Sequence, residues 1–542
     1  MQILEMKWQT KEGFLKLLCD LVGFGSITGT PAEVGVAHFI VEQLQTLSYF
    51  QEHPEQVRTH LTKDGRLIVT ALVKNAAEKQ ETAVLLSHFD VVAIEDYGRW
   101  RHLAFQPEEL TKAFQAQKHL LPQDVQRDME TGEWLFGRGT MDMKCGLAAQ
   151  MAMLERAAAG VFEGNVLLLA VCDEEVNSAG MLAAAPVLLE LAEEHQLKYQ
   201  VCLDSEPHFP RYPGDETNYI YSGSIGKVLP GFFCYGKEAH VGEPLAGLNA
   251  NLMASYVTCE LELNTAYCET VRGEVMQPPT SLQQYDLKKG YSVQTPHKAA
   301  VLFNLFVMEK PMEEIVRQLK GSAEAAARSI EETYRRQAQR FAKLQHSDPK
   351  ELQVKVWTLQ ELLDYAVQTY GAEAVARLQD IRPEKGEDER DVAVRFVDEL
   401  ASLCNEQAPM IVLFFAPPYY PSVSSEELPH IRRTADHIMQ YAWERHGVAL
   451  QRMLYMPGLS DMSYTSLQQP LSSLEQLTGN MPLWGSVYSL PLEELAKLNV
   501  PVINVGPIGR DAHKWTERLD VAYATGPLLS LLEETIRTVL QP

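Results

Sequence analysis

Short apolar runs alternate with amphipathic segments along the first two hundred residues of the chain. Four of these runs are rich in Val, Leu and Ile and are typical of mostly buried strands. They are residues 66–73, 82–90, 164–175 and 199–207. Two Ala- and Leu-rich segments between them, 143–160 and 178–195, have helical spacing. This alternation predicts an α/β layered sheet, in which ligands bind at the carboxyl ends of the strands.

The alternation of predicted strands and helices stops in the middle third of the chain and resumes near its end. Residues 218–240 are typical of antiparallel strands, and a strongly helical stretch follows further along. The α/β alternation resumes with a helix from about Glu426. We therefore predict an α+β domain inserted into an α/β domain. The predicted boundaries are 1–217 and 425–542 for the two parts of the α/β domain and 218–424 for the insertion, with a helical extension over about 312–404.

The charge of the chain restricts its partners. Lys and Arg together number 48 and Asp and Glu 72, which gives a formal net charge of −24. Such an acidic protein repels phosphate backbones and anionic lipids, so we expect neither nucleic acid nor a membrane as a partner. The first residues do not resemble a secretory signal, and no apolar run approaches the ~20 residues that span a bilayer. With eight scattered cysteines, we expect a cytoplasmic protein.

Five clusters of ionisable residues lie at the ends of the predicted strands or in the loops just beyond them. They are SHFD (87–90), GRGTMDMKCG (137–146), VCDEEVNSAG (171–180), LDSEP (203–207) and GPIGRDAHKWTE (506–517). Each alone has an ordinary structural explanation, such as a core histidine, a solvated turn or a helix N-cap. All five together are hard to explain in that way, so we expect them to form one site.

His88 and Asp90 lie two residues apart in a predicted strand, so their side chains point to the same face. A metal-bound imidazole commonly donates its second N–H to a carboxylate, which predicts His88 as a ligand and Asp90 as its partner. Histidine nitrogen and carboxylate oxygen suit zinc, and this many donors fits two ions ~3.5–4 Å apart. The adjacent Glu174 and Glu175 diverge, so one can bind metal while the other takes a proton from water.

In this order, the motifs resemble those of the co-catalytic zinc metallopeptidase family of aminoacylase, acetylornithine deacetylase, succinyl-diaminopimelate desuccinylase and bacterial dipeptidases. The matching motifs are HxD, GRGxxDMKxG, DEE, an acidic residue at the next strand end and a late AH…E. The resemblance implies a layered α/β/α zinc-hydrolase catalytic domain with an inserted lid domain. It also implies two zinc ions, for which cobalt or manganese can substitute.

The resemblance assigns a role to each motif residue. Glu174 would be the general base, and the Asp142–Met143 peptide bond would be cis. The implied metal ligands are His88, Asp142, Glu175 and His513, with Asp142 bridging both ions. The remaining ligand is either Asp204, directly after the strand, or Glu206, and we favour Asp204.

Residues of the lid and of a late loop complete the implied site. His240, in GKEAHVGEP (236–244), would stabilise the tetrahedral intermediate as an oxyanion donor. Asp461 is a candidate for the substrate-binding rim, and Arg272 is a candidate clamp for a substrate carboxylate. The long lid most resembles the bacterial arginine-utilisation branch of the family. A homodimer formed through the lid and a monomer are both compatible with it.

The sequence thus predicts a zinc-dependent hydrolase that cleaves an amide bond of an N-acyl amino acid or a small peptide, with a link to arginine catabolism. The alternative is a non-catalytic metal-binding protein that uses the same fold for regulation or interaction. The complete set of ligand types and the base favours the enzyme.

Overall fold

The computed structural model describes residues 6–75, 79–212, 214–346, 348–384 and 386–541. The chain divides into two compact units. The first comprises Met1–Ile225, Val423–Gln468 and Pro491–Pro542, and the second comprises Gly226–Ser422 and Gln469–Leu490. Residues 469–490 therefore group with the second unit, whereas the sequence analysis assigns them to the α/β domain. The roles of the two units as catalytic domain and lid stay a prediction.

The described part of the chain up to Ile225 contains eight strands and seven α-helices. The strands are β1 (Val57–Leu61), β2 (Leu67–Val73), β3 (Glu81–His88), β4 (Trp134–Phe136), β5 (Asn165–Val171), β6 (Lys198–Asp204), β7 (Asn218–Tyr221) and β8 (Gly223–Ser224). The helices are α1 (Lys11–Gly23), α2 (Ala32–Gln45), α3 (Ser48–Glu52), α4 (Pro107–Ala116), α5 (Gln123–Thr131), α6 (Lys144–Ala158) and α7 (Ala179–His195).

The middle part of the chain, residues 226–422, supplies most of the second unit. Its strands are β9 (Gly226–Tyr235), β10 (Thr270–Val271), β11 (Glu274–Val275), β12 (Thr280–Asp286), β13 (Lys298–Val307), β14 (Lys355–Thr358) and β15 (Met410–Tyr420). Its helices are α8 (Ala250–Leu261), α9 (Met312–Gln345), α10 (Leu359–Tyr370), α11 (Ala372–Gln379) and α12 (Glu389–Leu403).

The last part of the chain returns to the first unit, apart from the short helix α14. Its strands are β16 (Val423–Ser424), β17 (Leu450–Met453), β18 (Val502–Asn504), β19 (Gly509–Arg510) and β20 (Arg518–Asp520). Its helices are α13 (Pro429–His446), α14 (Glu475–Thr478), α15 (Leu492–Leu498), α16 (Val521–Ala524) and α17 (Pro527–Leu540).

The first unit is built on an eight-stranded mixed sheet with the order β1-β2-β5-β3-β6-β18-β7-β17. Its four neighbouring strands β5, β3, β6 and β18 run parallel. Strand β5 is buried along its whole length, as expected for a strand covered on both faces. Helices α6 and α17 pack against β3, and α2 and α7 pack against β2. The predicted layered α/β/α architecture is confirmed.

The second unit contains a five-stranded sheet with the order β12-β13-β9-β15-β14. All its pairs are antiparallel except β14 with β15. Helices α9 to α12 occupy most of the stretch predicted as helical extension, with β14 between α9 and α10. Phe233, Val397 and Phe414 are among the buried side chains of its core. Among the residues that the structure describes, no helix has the length and apolar character needed to cross a bilayer.

Candidate metal centre

The carboxyl ends of three neighbouring parallel strands carry the central residues of the predicted site. His88 is the last residue of β3, Glu174 and Glu175 follow the end of β5, and Asp204 ends β6. Since these strands run parallel, their carboxyl ends meet at one edge of the sheet. The chain therefore places these residues together, as the strand pattern predicts.

Two loops complete the cluster. Asp142 lies just before α6, and the Asp142–Met143 peptide bond is cis, as the resemblance implies. His513 lies in the loop between β19 and β20, and its Nε2 is 3.1 Å from Asp142 Oδ2 and 3.1 Å from Glu175 Oε1. One imidazole nitrogen and two carboxylates thus converge on one point.

His88 presents an unpaired nitrogen to a group of carboxylates. Among the residues that the structure describes, its buried Nε2 has no hydrogen-bond partner. It is 3.4 Å from Glu206 Oε1, 3.5 Å from Asp142 Oδ1 and 3.9 Å from Glu174 Oε2. On the other side of the ring, Nδ1 is 3.1 Å from the carbonyl oxygen of Asp90. A proton on Nδ1 would leave the Nε2 lone pair free for a metal ion.

The Asp90 carboxylate does more than face the His88 ring, from which its Oδ1 is 3.4 Å away. It accepts hydrogen bonds from the backbone N–H groups of Glu174 and Glu175 and from the Thr28 hydroxyl. Asp90 therefore fixes the start of the loop that follows β5 as well as the His88 side chain. Sequence reasoning predicted the contact with His88 and missed the contacts with this loop.

Buried negative charge dominates the electrostatics of the cluster. Burial raises the pKa values of Glu174 and Glu206 well above their usual range, and neighbouring carboxylates raise them further against the effect of His88. Burial opposes the charged form of His88, but the carboxylates of Glu206, Asp142 and Asp90 hold its pKa well above the usual value. Carboxylates in such excess over cations are best stabilised by bound divalent ions.

The donor geometry fits such ions. Two overlapping groups offer one ligand atom from each residue, all within 4.8 Å of one another: His88 with Glu174 and Glu206, and His88 with Asp142 and Glu175. Imidazole nitrogen and carboxylate oxygen are ligands that zinc accepts. The unpaired Nε2 of His88 and this donor set together identify a candidate metal centre.

The geometry favours Glu206 over Asp204 as the remaining ligand, which reverses the preference from the sequence. Asp204 Oδ2 accepts a hydrogen bond of 2.7 Å from the Ser460 hydroxyl, and Oδ1 accepts one of 2.9 Å from the Ser205 N–H. Both Asp204 oxygens are thus used in local hydrogen bonds, whereas Glu206 faces His88 Nε2. Ser460 carries no signal in the sequence that would have revealed this.

The three remaining predicted residues lie in different parts of the molecule. Asp461 is buried in the first unit, where burial and the nearby Asp90 and Asp204 raise its pKa to about 8 against the effect of His88. His240 is an exposed residue of the second unit, and its Nδ1 accepts a hydrogen bond from the Gly242 N–H. Arg272, also exposed, lies in the turn between β10 and β11 of the same unit.

The protein is of the α/β class, and its sheet carries at the carboxyl edge a cluster of carboxylates and histidines that could hold metal ions. The chain belongs to peptidase family M20/M25/M40, whose family model matches residues 84–474. It is therefore a hydrolase that acts on peptide or amide bonds. The predicted family resemblance is confirmed.

Two relatives from Bacillus subtilis match almost the whole chain. The uncharacterized protein YqjN is 50% identical over 538 residues, which cover 99% of this chain and 98% of that protein. Protein RocB is 33% identical over 537 residues, which cover 97% of this chain and 94% of that protein. The crystal structure of the M20 family metallo-carboxypeptidase Sso-CP2 from Sulfolobus solfataricus matches with a TM-score of 0.53 at 13% identity. That match covers 97% of this chain and 99% of the other, and it shows the shared fold.

Proposed function

We propose that the chain is a zinc-dependent hydrolase that cleaves an amide bond of an N-acyl amino acid or a small peptide. The observation that carries the proposal is the buried, unpaired Nε2 of His88 among the Glu206, Asp142 and Glu174 carboxylates. A nitrogen in that setting is suited to a metal ion, and this family of hydrolases acts on peptide or amide bonds.

The ligand assignment follows the contacts within the cluster. His88, Asp142 and Glu206 would hold one ion, and Asp142, Glu175 and His513 would hold the other. Two zinc ions, for which cobalt or manganese can substitute, would supply Lewis acidity that polarises the scissile carbonyl and makes water more acidic. Asp142 suits the bridging role because its Oδ1 faces His88 and its Oδ2 faces His513.

Glu174 is the proposed general base. Its carboxylate would take the proton of the attacking water as the oxygen–carbon bond forms, and would return that proton to the amine as the carbon–nitrogen bond breaks. Asp90 accepts a hydrogen bond from the Glu174 N–H, which restrains the backbone that carries the base. A carboxylate whose pKa is raised by burial is suited to hold a proton between the two steps.

His240 is the proposed oxyanion donor. Because its Nδ1 accepts the Gly242 N–H, a neutral His240 carries its proton on Nε2, which is then available as a donor. Such a donor is worth roughly 3 kcal/mol of transition-state stabilisation. We expect His240→Ala to lower kcat by ~100-fold while metal content stays unchanged, whereas His240→Gln should retain part of the activity.

The substrate would be a small molecule or a short peptide. The resemblance to the arginine-utilisation branch supports an arginine-related amide, with Asp461 at the substrate rim and Arg272 as a clamp for a free carboxylate. A homodimer through the lid and a monomer are both compatible with this function, as is a cytoplasmic location.

Replacing the base without removing a ligand tests the mechanism. We expect Glu174→Gln to keep both metal ions and to lose ~100- to 10,000-fold in kcat, because the glutamine amide cannot accept the proton of water. Glu175→Gln is the matched comparison, since this neighbour should lose metal as well as activity. Metal content by mass spectrometry and initial rates on N-acyl amino acids and dipeptides give both readouts. Near-normal turnover by the Glu174 variant would rule out this base.

A further inference from the structure

Arg138 and Glu517 form a fully buried ion pair next to the metal centre, outside the set of ligands. The Arg138 side chain is 1% exposed and that of Glu517 is 0% exposed, and Arg138 Nη1 donates to Glu517 Oε2 at 2.9 Å. Arg138 Nη2 also donates to the Asp96 carboxylate and to the carbonyl oxygen of Ala93. The guanidinium lies 5.3 Å from the centre of the Tyr97 ring. These contacts hold Glu517 in one orientation.

The other oxygen of Glu517 binds the backbone of a metal ligand. Glu517 Oε1 accepts hydrogen bonds from the N–H groups of Met141 and Asp142 at 3.2 and 3.3 Å. The carbonyl oxygen of Glu517 accepts a third from the Gly137 N–H. Glu517 therefore holds the loop that presents Asp142 through three backbone groups.

Glu517 also belongs to the loop that supplies His513, four residues before it. The side chains of Asp142 and His513 meet at 3.1 Å. Glu517 is thus a buried residue that joins the two loops whose side chains must converge on one ion. The base of the His513 loop has a separate support, because the Asp511 carboxylate accepts hydrogen bonds from Thr516 and Arg518. These hydrogen bonds lie within the His513 loop and the start of β20, and β20 pairs with β4 just before the Asp142 loop.

We propose that Glu517, oriented by Arg138, is a positioning residue that fixes Asp142 relative to His513 and so supports affinity chiefly at the metal site that these two residues share. This inference rests on the proposed function, since it takes Asp142, Glu175 and His513 as ligands of one ion. Glu517 itself is not among the proposed metal ligands. Its removal changes the geometry of that site and leaves the contacts of His88 with Glu206 in place.

The test is a calorimetric titration of the metal-depleted full-length chain with zinc, for the wild type and for Glu517→Gln. A glutamine keeps the volume but cannot accept from Arg138 and from both backbone N–H groups, because one end of its amide is a donor. We expect affinity at the site of Asp142, Glu175 and His513 to fall by ~10- to 100-fold, and affinity at the other site, which shares only Asp142 with it, to fall less. Titration with cobalt provides a visible spectrum of the disturbed site as a second readout, independent of activity.

Glu155 offers a matched control. Its carboxylate is also buried and also accepts two backbone N–H groups, those of Lys7 and Trp8, but it lies on α6 without contact to a proposed ligand. Glu155→Gln should leave the zinc affinity of both sites unchanged, even if it lowers the stability of the fold. If Glu517→Gln does not fold, the double variant Arg138→Gln/Glu517→Gln replaces the ion pair by two amides and should show the same unequal loss of affinity at the two sites.

The outcomes separate the two levels of the proposal. If the wild type binds two ions and hydrolyses amides while Glu517→Gln or the double variant binds zinc as the wild type does, the positioning role is wrong and the proposed function stands. An equal loss in Glu155→Gln also overturns the positioning role. If the wild type binds no zinc, the proposed function and the positioning role both fail.

Discussion

Two acidic residues at the carboxyl end of β6 show how the choice of ligand depends on single side chains. Asp204 ends the strand and its oxygens bind Ser460 and the Ser205 N–H, whereas Glu206 faces His88. The sequence could not separate the two, because both are acidic residues at the end of the same predicted strand. The strand ends at Asp204, so the alternation of side chains along a strand does not predict where Glu206 points. Ser460 lies 256 residues away along the chain, and no local pattern predicts that contact.

The two candidate ligands can be separated by metal affinity. We expect Glu206→Gln to weaken binding at one site by well over ~100-fold, because it removes a direct ligand and leaves His88 without that partner. Asp204→Asn should cost ~10- to 100-fold or less, the range for a residue that orients its neighbours. Zinc titration of the metal-depleted variants gives both values. A larger loss in the Asp204 variant would restore the preference drawn from the sequence.

A partly buried arginine and two buried carboxylates form an ion-pair cluster that supports the loop that carries Glu174 and Glu175. Arg66, just before β2, donates to Asp173 at 2.7 Å and to Glu33 at 3.2 Å. We expect Arg66→Met to lower the free energy of unfolding by ~3–5 kcal/mol, because it leaves two buried carboxylates without their cation. The comparison is Arg58→Met, which removes the exposed pair with Glu194 and should cost no more than ~1 kcal/mol. Urea denaturation of both variants measures the difference, and equal losses would contradict the role of the cluster.

At the scale of elements, helix α6 lies unusually close to the end of β6. A Cβ added to Gly146 would lie 2.3 Å from the carbonyl oxygen of Ser205, the residue between the two acidic ones. The helical spacing of 143–160 predicted the helix, and α6 occupies Lys144–Ala158. Periodicity cannot predict how near a helix approaches a strand, because that distance depends on side chains from both elements.

The close approach predicts a specific defect. We expect Gly146→Ala to lower the free energy of unfolding by ~1–3 kcal/mol, because the helix or the β6 end must shift to make room. That shift should also reduce zinc affinity through Glu206. Gly321→Ala, in the interior of α9 with nothing within 4 Å of the added Cβ, should instead stabilise the protein by up to ~1 kcal/mol. Thermal unfolding and zinc titration of the two variants test this, and unchanged behaviour of Gly146→Ala would contradict it.

At the scale of the whole molecule, the sequence predicted the α/β/α fold, the family and most residues of the cluster. Three of the motifs stand at the ends of the neighbouring parallel strands β3, β5 and β6, so the strand pattern brings these three to one edge. Asp142 and His513 come from loops next to a separate three-stranded sheet, which the strand pattern does not place. The grouping of residues 469–490 with the second unit could not be predicted in this way. It depends on non-local contacts, such as the hydrogen bonds of Asn480 with Phe415 and Gln360. Short helices and turns show no hydrophobic periodicity, so the sequence of this segment does not predict which distant residues it contacts.

Part of the net charge of −24 is concentrated at one place in the fold. At least five buried carboxylates, those of Asp90, Asp142, Glu174, Asp204 and Glu206, lie at one edge of the sheet. Within the described residues, Asp90, Asp142, Glu174 and Glu206 each have a carboxylate oxygen within 4 Å of the His88 or His513 imidazole. Divalent ions would neutralise this charge, so we expect metal removal to destabilise the fold as well as to stop catalysis.

The most direct test of the account is the metal content of the purified chain, measured together with hydrolysis of N-acyl amino acids and dipeptides before and after chelation. We expect about two zinc ions per chain, as in other two-metal hydrolytic sites, and amide cleavage that a chelator abolishes and zinc restores. The absence of bound metal under zinc-replete conditions, or hydrolysis that chelation leaves intact, would contradict the proposed centre.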